Sequence, residues 1–318
     1  MITGPRTALS SARIRGSTLP RAPASGTKRS AGSASAADSP AARVTSSRRV
    51  SRSGCVGGMR ERLGILEAMA KPWIVDVHSH LVPTGDDGVR TIDEGLELCR
   101  QAVHHGTRVL YATPHVHAGW DSYPLTAERR ALYDAAFPVM RAQCATFGLD
   151  LRRGFEIYPG AVPASADVRE FGLSGSGGYL IEFPGFWTPE PDPLGLVWAE
   201  AERAERAGLQ PVLGHPERCA EIAADPQRVA RFCERGWLLA LNAMSLDGRH
   251  GPQARETVWR LLETGFGDLV ASDSHRDSRP PQLDWAYELV AGRLGAARAR
   301  PLFDGSALER ASDRSIAA

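Results

Sequence analysis

No apolar run in the 318-residue chain approaches the ~20 residues that a membrane-spanning helix needs. A soluble, cytoplasmic protein is the expectation. Cysteine is scarce too: Cys55, Cys99, Cys144, Cys219 and Cys233 are odd in number, scattered, and contain no C-x-x-C pair. That argues against a disulfide framework and a zinc ribbon, and fits a reducing compartment. None has an arginine six positions later, so the loop that activates a thiolate in C-x5-R enzymes is absent and a cysteine nucleophile is not expected. A basic surplus is also missing from the body of the chain. Residues 1–60 hold eleven of the 38 Lys/Arg and one of the 37 Asp/Glu, which makes them +10 and leaves −9 for the remainder. An acidic body gives no footing for nucleic acid.

The segment up to residue 70 is dominated by Ser, Ala, Arg and Gly, and its first 58 residues offer almost no aromatic or long apolar side chain. It cannot bury enough surface to offset ordering entropy, so residues 1–70 are expected to be a disordered arm. Its Arg- and Ser-rich, acid-poor composition is that of an organellar transit peptide. The favoured expectation is plainer: translation starts at Met59 or Met69 and the arm is extraneous. A folded body is expected over 71–310 and a flexible tail over 311–318.

From residue 72 onward, seven short apolar or β-branched runs alternate with helical periodicity: 74–77, 108–112, 151–157, 179–183, 211–213, 237–241 and 268–271. Helices are expected at 91–105, 126–147, 193–207, 226–235, 252–264 and 282–294. Gly106, Gly148, Gly208, Gly236 and Gly265 stand where C-terminal caps want glycine. Such alternation predicts an α/β protein, and seven strands rather than eight predict a distorted seven-stranded TIM-like barrel.

In such folds the site gathers at the C-terminal strand ends. Polar residues stand there on six of the seven runs: His78 and His80, His115, Glu156, Glu182, His215 and Arg218, Asp273 and His275, with Asp87 in the first loop. Each has an ordinary alternative. A lone histidine at a strand end is usually a hydrogen-bonded rim residue, Asp-Asp-Gly is by itself a turn, and Ser-Asp-Ser-His could cap a helix. His104, His105, His117 and His250 are read as incidental. Together, five histidines and four carboxylates on one rim would crowd polar groups unless cations compensate them. Imidazole and carboxylate without thiolate suit Mn²⁺, Fe²⁺ or Zn²⁺, and nine donors suit two or three ions sharing a bridging carboxylate. Three divalent ions against four carboxylates leave a surplus near +2, which a phosphate monoester would balance. Arg218 and Arg279 could grip its oxygens, or form surface ion pairs.

These motifs together resemble the PHP (polymerase and histidinol phosphatase) superfamily, and within it the metal-dependent tyrosine phosphatases of capsule and exopolysaccharide biosynthesis. The resemblance is carried by Asp76-Val77-His78-Ser79-His80, Asp86-Asp87-Gly88, Thr113-Pro114-His115, Gly154-Phe155-Glu156-Ile157, Leu180-Ile181-Glu182-Phe183, Gly214-His215-Pro216-Glu217-Arg218, Asn242 to Leu246 and Ala271-Ser272-Asp273-Ser274-His275. It implies one metal at His78, His80, Glu156 and Asp273, a second at Glu156, Glu182 and His215, and a third at Asp87, His115 and His275, with Mn²⁺ foremost. It implies hydrolysis of phosphotyrosine on an autophosphorylating bacterial tyrosine kinase by a metal-bridging hydroxide. Arg218 and Arg279 would neutralise the phosphoryl group, and Asp273 or His275 would donate a proton. The loop Arg276-Asp277-Ser278-Arg279 departs from the pattern, which leaves the place of Arg279 open. Histidinol phosphate or another small phosphomonoester is the alternative substrate, and a phosphate-binding barrel without turnover the alternative class. "LIEFP" followed by "GFWTPEP" reads as an aromatic lip suited to a peptide.

Overall fold

The computed structural model describes residues 72–117, 123–186, 188 and 190–309. The expected arm over 1–70 and the tail over 311–318 lie outside these residues.

Nine strands occur among the described residues, all paired in parallel. They are β1 (Ile74–Asp76), β2 (Thr107–Ala112), β3 (His115–Val116), β4 (Asp150–Arg153), β5 (Glu156–Ile157), β6 (Gly178–Glu182), β7 (Gln210–Gly214), β8 (Leu238–Asn242) and β9 (Leu269–Ala271). They form a three-stranded sheet, β1-β2-β4, and a six-stranded sheet, β3-β5-β6-β7-β8-β9. The single seven-stranded barrel sheet expected from the sequence is therefore not what the ladders describe. Run 108–112 is β2 unbroken, and a further short strand, β3, follows it across Thr113-Pro114, where proline has no N–H to give. Run 151–157 is split in two at Gly154-Phe155, where a Cβ on Gly154 would stand 2.6 Å from Leu173. Pairing carries across both breaks, since Gly154 N–H donates to Ala112 O (2.9 Å) and Glu156 N–H to Pro114 O (3.1 Å). An isolated parallel bridge joins Ser79 to Ser274, just beyond the ends of β1 and β9.

Helices cover the strands on the side away from the inner face: α1 (Ile92–His104), α2 (Ala127–Thr146), α3 (Pro193–Arg206), α4 (Ala220–Ala224), α5 (Ala230–Glu234), α6 (Ala243–Leu246), α7 (Pro252–Thr264), α8 (Asp284–Leu294) and α9 (Ala296–Phe303). Their ends are capped as the sequence suggests. Thr91 accepts from Glu94 N–H (3.2 Å), Thr126 from Arg129 N–H (3.2 Å), and Gly265 closes α7 with φ of 85°. The helix expected at 226–235 is instead a 3₁₀ turn, Pro226–Val229, followed by α5. The last helix, α9, had no counterpart among the expected ones.

Period-two alternation divides the core. Tyr179, Ile181, Leu213, Leu239, Leu241 and Val270 pack with the helices. Leu180, Val212, Leu238, Ala240, Leu269 and Ala271 form a separate inner cluster with Val77 and Tyr111. Two residues further along the same strands, the inner face delivers Glu182, Asn242 and Asp273, and from Tyr111 it runs on to Thr113 and His115. Strand register thus decides which polar residues meet.

The packing of α1 makes a test. A Cβ at Gly95 would lie 2.3 Å from Leu81 O and 2.6 Å from Met140 Cε. Gly95→Ala should cost about 1–3 kcal/mol by overpacking, which thermal unfolding would read as a Tm loss of about 2–12 °C. Gly292→Ala, in open space within α8, should leave Tm unchanged or raise it.

Candidate functional site

Five strand ends and the first loop converge on one carboxylate. Glu156, 1% exposed, has Oε2 at 3.2 Å from His78 Nε2, 3.3 Å from His80 Nε2 and 2.9 Å from His115 Nδ1, and Oε1 at 3.0 Å from His215 Nε2. Asp273 Oδ1 stands 3.4 Å from His78 Nε2 and 3.5 Å from His80 Nε2. Asp87 Oδ1 lies between His115 Nε2 (3.4 Å) and His275 Nε2 (3.3 Å). Glu182 Oε2 is 3.8 Å from His115 Nδ1. All nine donors expected from the sequence are brought together here. Their donor atoms fall into four groups of near neighbours: His80, Asp87, His115 and His275; His78, Glu156 and His215; His78, His80 and Asp273; His115, Glu156 and Glu182.

Two of these residues hold strained backbone. His215 and Asp273 have φ of 42° and 49° and are the non-glycine residues of positive φ among those described. Such conformations cost on the order of 1–3 kcal/mol each and persist where surrounding structure enforces them. Here the enforcement is visible. His215 N–H donates to Ala240 O (2.7 Å), and Asp273 N–H to His78 O (3.0 Å).

A second ring of polar groups holds the first. Asp86 Oδ2 faces His80 Nδ1 at 3.3 Å and accepts from His115 N–H at 3.2 Å. Asp76 accepts from Ser272 N–H (3.0 Å) and Oγ (2.6 Å) and from His78 N–H (3.3 Å). Glu217 accepts from Asn242 N–H and Ser245 Oγ, and Asn242 Nδ2 donates to Asp273 Oδ2 at 2.8 Å. Arg218 donates to that same oxygen at 3.1 Å, and Arg279 Nη2 donates to it as well. The loop of open register proves to be a tight turn. Arg279 N–H donates to Arg276 O, while Arg279 O accepts from His275 N–H and Ser274 Oγ, so its side chain returns to the rim.

The residues form a cavity of about 220 Å³. It is lined by His115, Glu156 and His215, by Arg218 and Arg279, and also by His117, Tyr123 and Thr188. Larger clefts of about 500 and 670 Å³ lie beside Trp259 and Tyr111, and none of the four donor groups lines them.

Electrostatics show why cations fit. Burial and the Glu156 charge push the Glu182 carboxyl up to about 8. Burial works to lower His115, but the Glu156 charge and the bonds to Asp87 and Glu156 together carry the imidazole to about 10; His80 is likewise raised by Asp273, Asp86 and Glu156 against its own burial. His215 and His275 are pulled down to about 4, by burial first, then by Arg218 and His80 respectively. Glu156 Oε2, Glu182 Oε2, His115 Nδ1 and His215 Nδ1 are buried without an aligned hydrogen bond. Crowded donors that share protons, with lone pairs left over, are the state divalent ions would relieve.

Sequence reading missed several participants. His117, set aside as incidental, has Nε2 at 3.8 Å from Glu182 Oε2 and lines the cavity. Tyr123 stacks on His115, and nothing in its neighbourhood marked it. His105 pairs with Asp284 (3.0 Å) and His250 faces Ser245 Oγ (3.0 Å), in keeping with ordinary roles. Of the residues read as an aromatic lip, Phe183 is fully buried in the core and Phe186 is half-buried, and Trp187 and Pro189 lie outside the described residues. Cys99, Cys144 and Cys219 are buried, and none of the described cysteines lines the cavity.

Parallel α/β sheets with a histidine and carboxylate cluster at the strand ends define a protein built to carry divalent metal. The chain belongs to the capsular polysaccharide synthesis family CpsB/CapC, whose family model matches residues 74–309. Among its relatives is the tyrosine-protein phosphatase YwqE of Bacillus subtilis, 29% identical over 204 residues, covering 64% of this chain and 77% of that protein. The tyrosine-protein phosphatase CpsB of Streptococcus pneumoniae is 26% identical over 243 residues, covering 72% of this chain and 95% of its own length. The fold is similar to a chain from the crystal structures of YwqE and S. pneumoniae CpsB, described as unique metal-dependent tyrosine phosphatases, with a TM-score of 0.59 and 27% identity over 72% of this chain and 91% of that one.

Because ligands must give up their protons to bind metal, His80, His115 and Glu182 should release protons as ions enter at pH 7. Metal affinity should therefore rise with pH toward 8 and above. Calorimetric titration with Mn²⁺ in two buffers of different ionisation enthalpy should show at least about one proton released per protein. An enthalpy independent of buffer would contradict this.

Proposed function

We propose that this chain is a metal-dependent protein-tyrosine phosphatase, acting on a phosphotyrosine protein of capsule or exopolysaccharide synthesis, namely an autophosphorylating tyrosine kinase. The observation that carries the reading is the convergence of nine donors on one rim beside two arginines that share the Asp273 carboxylate. The two sheets, joined by the Ser79–Ser274 bridge, are read as a distorted seven-stranded barrel that holds this rim.

Two or three divalent ions are assigned to the site, Mn²⁺ foremost. By the family resemblance one would be held by His78, His80, Glu156 and Asp273, one by Glu156, Glu182 and His215, and one by Asp87, His115 and His275, although the near-neighbour groups set His215 with His78 and Glu156, and Glu182 with His115 and Glu156. Ions held there would supply a nucleophile of lowered pKa and positive charge against the phosphoryl oxygens. The remaining work falls to the chain. Arg218, 8% exposed, presents a guanidinium already aimed at the rim by Asp273. Arg279 stands on the other side of the same carboxylate, and the two give a planar, multidentate cradle for a tetrahedral anion. The strained backbone of Asp273 keeps that carboxylate between donors and arginines. A tyrosine leaving group, with a pKa of about 10, departs with less proton assistance than an alkoxide. Asp273 or His275 is the proton donor expected from the resemblance, but Asp273 is held well below the usual carboxylate range and His275 is pulled down to about 4. Neither carries an acidic proton at neutral pH, and the phenoxide leaves without one from them.

The test is phosphate release from a phosphotyrosine peptide by the full chain, with Mn²⁺ and with excess chelator. Turnover should require metal. Arg218→Ala should lower kcat/KM by about 10²-fold or more, with metal content unchanged. Turnover that persists in chelator would sink the metal reading, and an Arg218→Ala variant of normal activity would remove the cradle.

A further inference from the structure

The cavity has two unlike walls. Arg218 and Arg279 form one, and both are cationic. The other is made of rings, Tyr123 and His117 beside His115, each packed against a further side chain.

Tyr123 lies nearly parallel to His115, with ring centroids 5.7 Å apart and planes 16° apart. The Arg129 guanidinium stands 5.6 Å from the Tyr123 ring. Arg129 is itself tied to backbone on several sides, donating to Thr84 O (3.0 Å), His115 O (3.1 Å) and Pro124 O (2.9 Å), and also to Tyr123 O. His117 N–H donates to Tyr123 O at 3.2 Å, which ties the backbone of the two residues together. Behind His117 stands Tyr158, its ring centroid 4.0 Å away, 6% exposed, and anchored by its hydroxyl on Glu190. His117 and His115 meet nearly at right angles, 6.4 Å apart.

Such an arrangement costs little to use. An aromatic guest prefers offset or edge-to-face contact with a ring already held in place, because no side chain must be ordered when it arrives. The cationic wall selects the anionic end of the guest, and the ring wall meets the group bonded to the phosphoryl oxygen. An alkyl phosphate would satisfy the first wall and leave the second bare.

The geometry points to Tyr123 and His117 as the residues that read the aromatic ring of an aryl phosphate, with Arg129 and Tyr158 as positioning residues behind them. This rests on the phosphomonoester reading of the site and adds the basis of its aryl selectivity.

Binding of two non-hydrolysable probes, phenylphosphonate and methylphosphonate, to the Mn²⁺-loaded full chain separates ring recognition from turnover. The wild type should bind the phenyl compound more tightly, and Tyr123→Ala should cut the phenyl-to-methyl affinity ratio about three- to tenfold, the size expected of one aromatic pair. Tyr123→Phe should keep the ratio. His117→Ala should lower it while metal content, measured by atomic emission, stays at the wild-type value. Equal binding of the two phosphonates by the wild type, or a parallel loss of both in Tyr123→Ala, would overturn the inference, as would loss of metal from His117→Ala. Selective phenylphosphonate binding without any phosphate release would leave the ring wall standing and sink the phosphatase reading instead.

Discussion

The rest of the site depends on one buried carboxylate placed among four imidazoles. Glu156 is almost wholly out of solvent and, among the described residues, pairs with no arginine or lysine; its partners are His78, His80, His115 and His215. A buried anion of this kind is tolerated only where compensating charge arrives from several directions at once. Its position comes from a strand of two residues, β5, which resumes after the Gly154-Phe155 break with its pairing intact. Had the register slipped by one residue, Ile157 would face the imidazoles and Glu156 would lie against the helices.

Much of the remaining structure opposes what these groups would do alone. Burial works to raise Asp273, but Arg279, His78, His80 and His275 together draw it well below the usual carboxylate range, while Glu182 is driven up. Carboxylates so close together cannot all ionise without cations between them. The left-handed backbone at His215 and Asp273 stores strain at the same place. Stability for this arrangement comes from elsewhere: from the layer of Tyr179, Ile181, Leu239 and Leu241 against the helices, and from the hydrogen bonds around Asp76 and Glu217.

The two walls of the cavity divide recognition from chemistry. Guanidinium groups respond to charge and are indifferent to the group that carries the phosphate. Rings held by Arg129 and Tyr158 respond to shape and polarizability and are indifferent to charge of the phosphoryl end. A site with both can favour aryl over alkyl phosphates without a deep pocket.

The sequence by itself determined the class of the fold and the list of donors. Alternating β-branched runs and capped helices could only be a parallel α/β body, and the polar residues closing those runs had to share one end of it, because parallel strands all point the same way. What only the tertiary structure decided is who stands next to whom. His215 sits beside Glu156 and His78, and Arg279 returns to the rim through a tight turn. His117 and Tyr123 become a wall, whereas Phe183 disappears into the core. Those neighbours come from different strands and loops, up to 196 positions apart in the Asp76–Ser272 pair. Periodicity along one chain segment carries no information about the lateral distance between segments. That distance is set by register and packing.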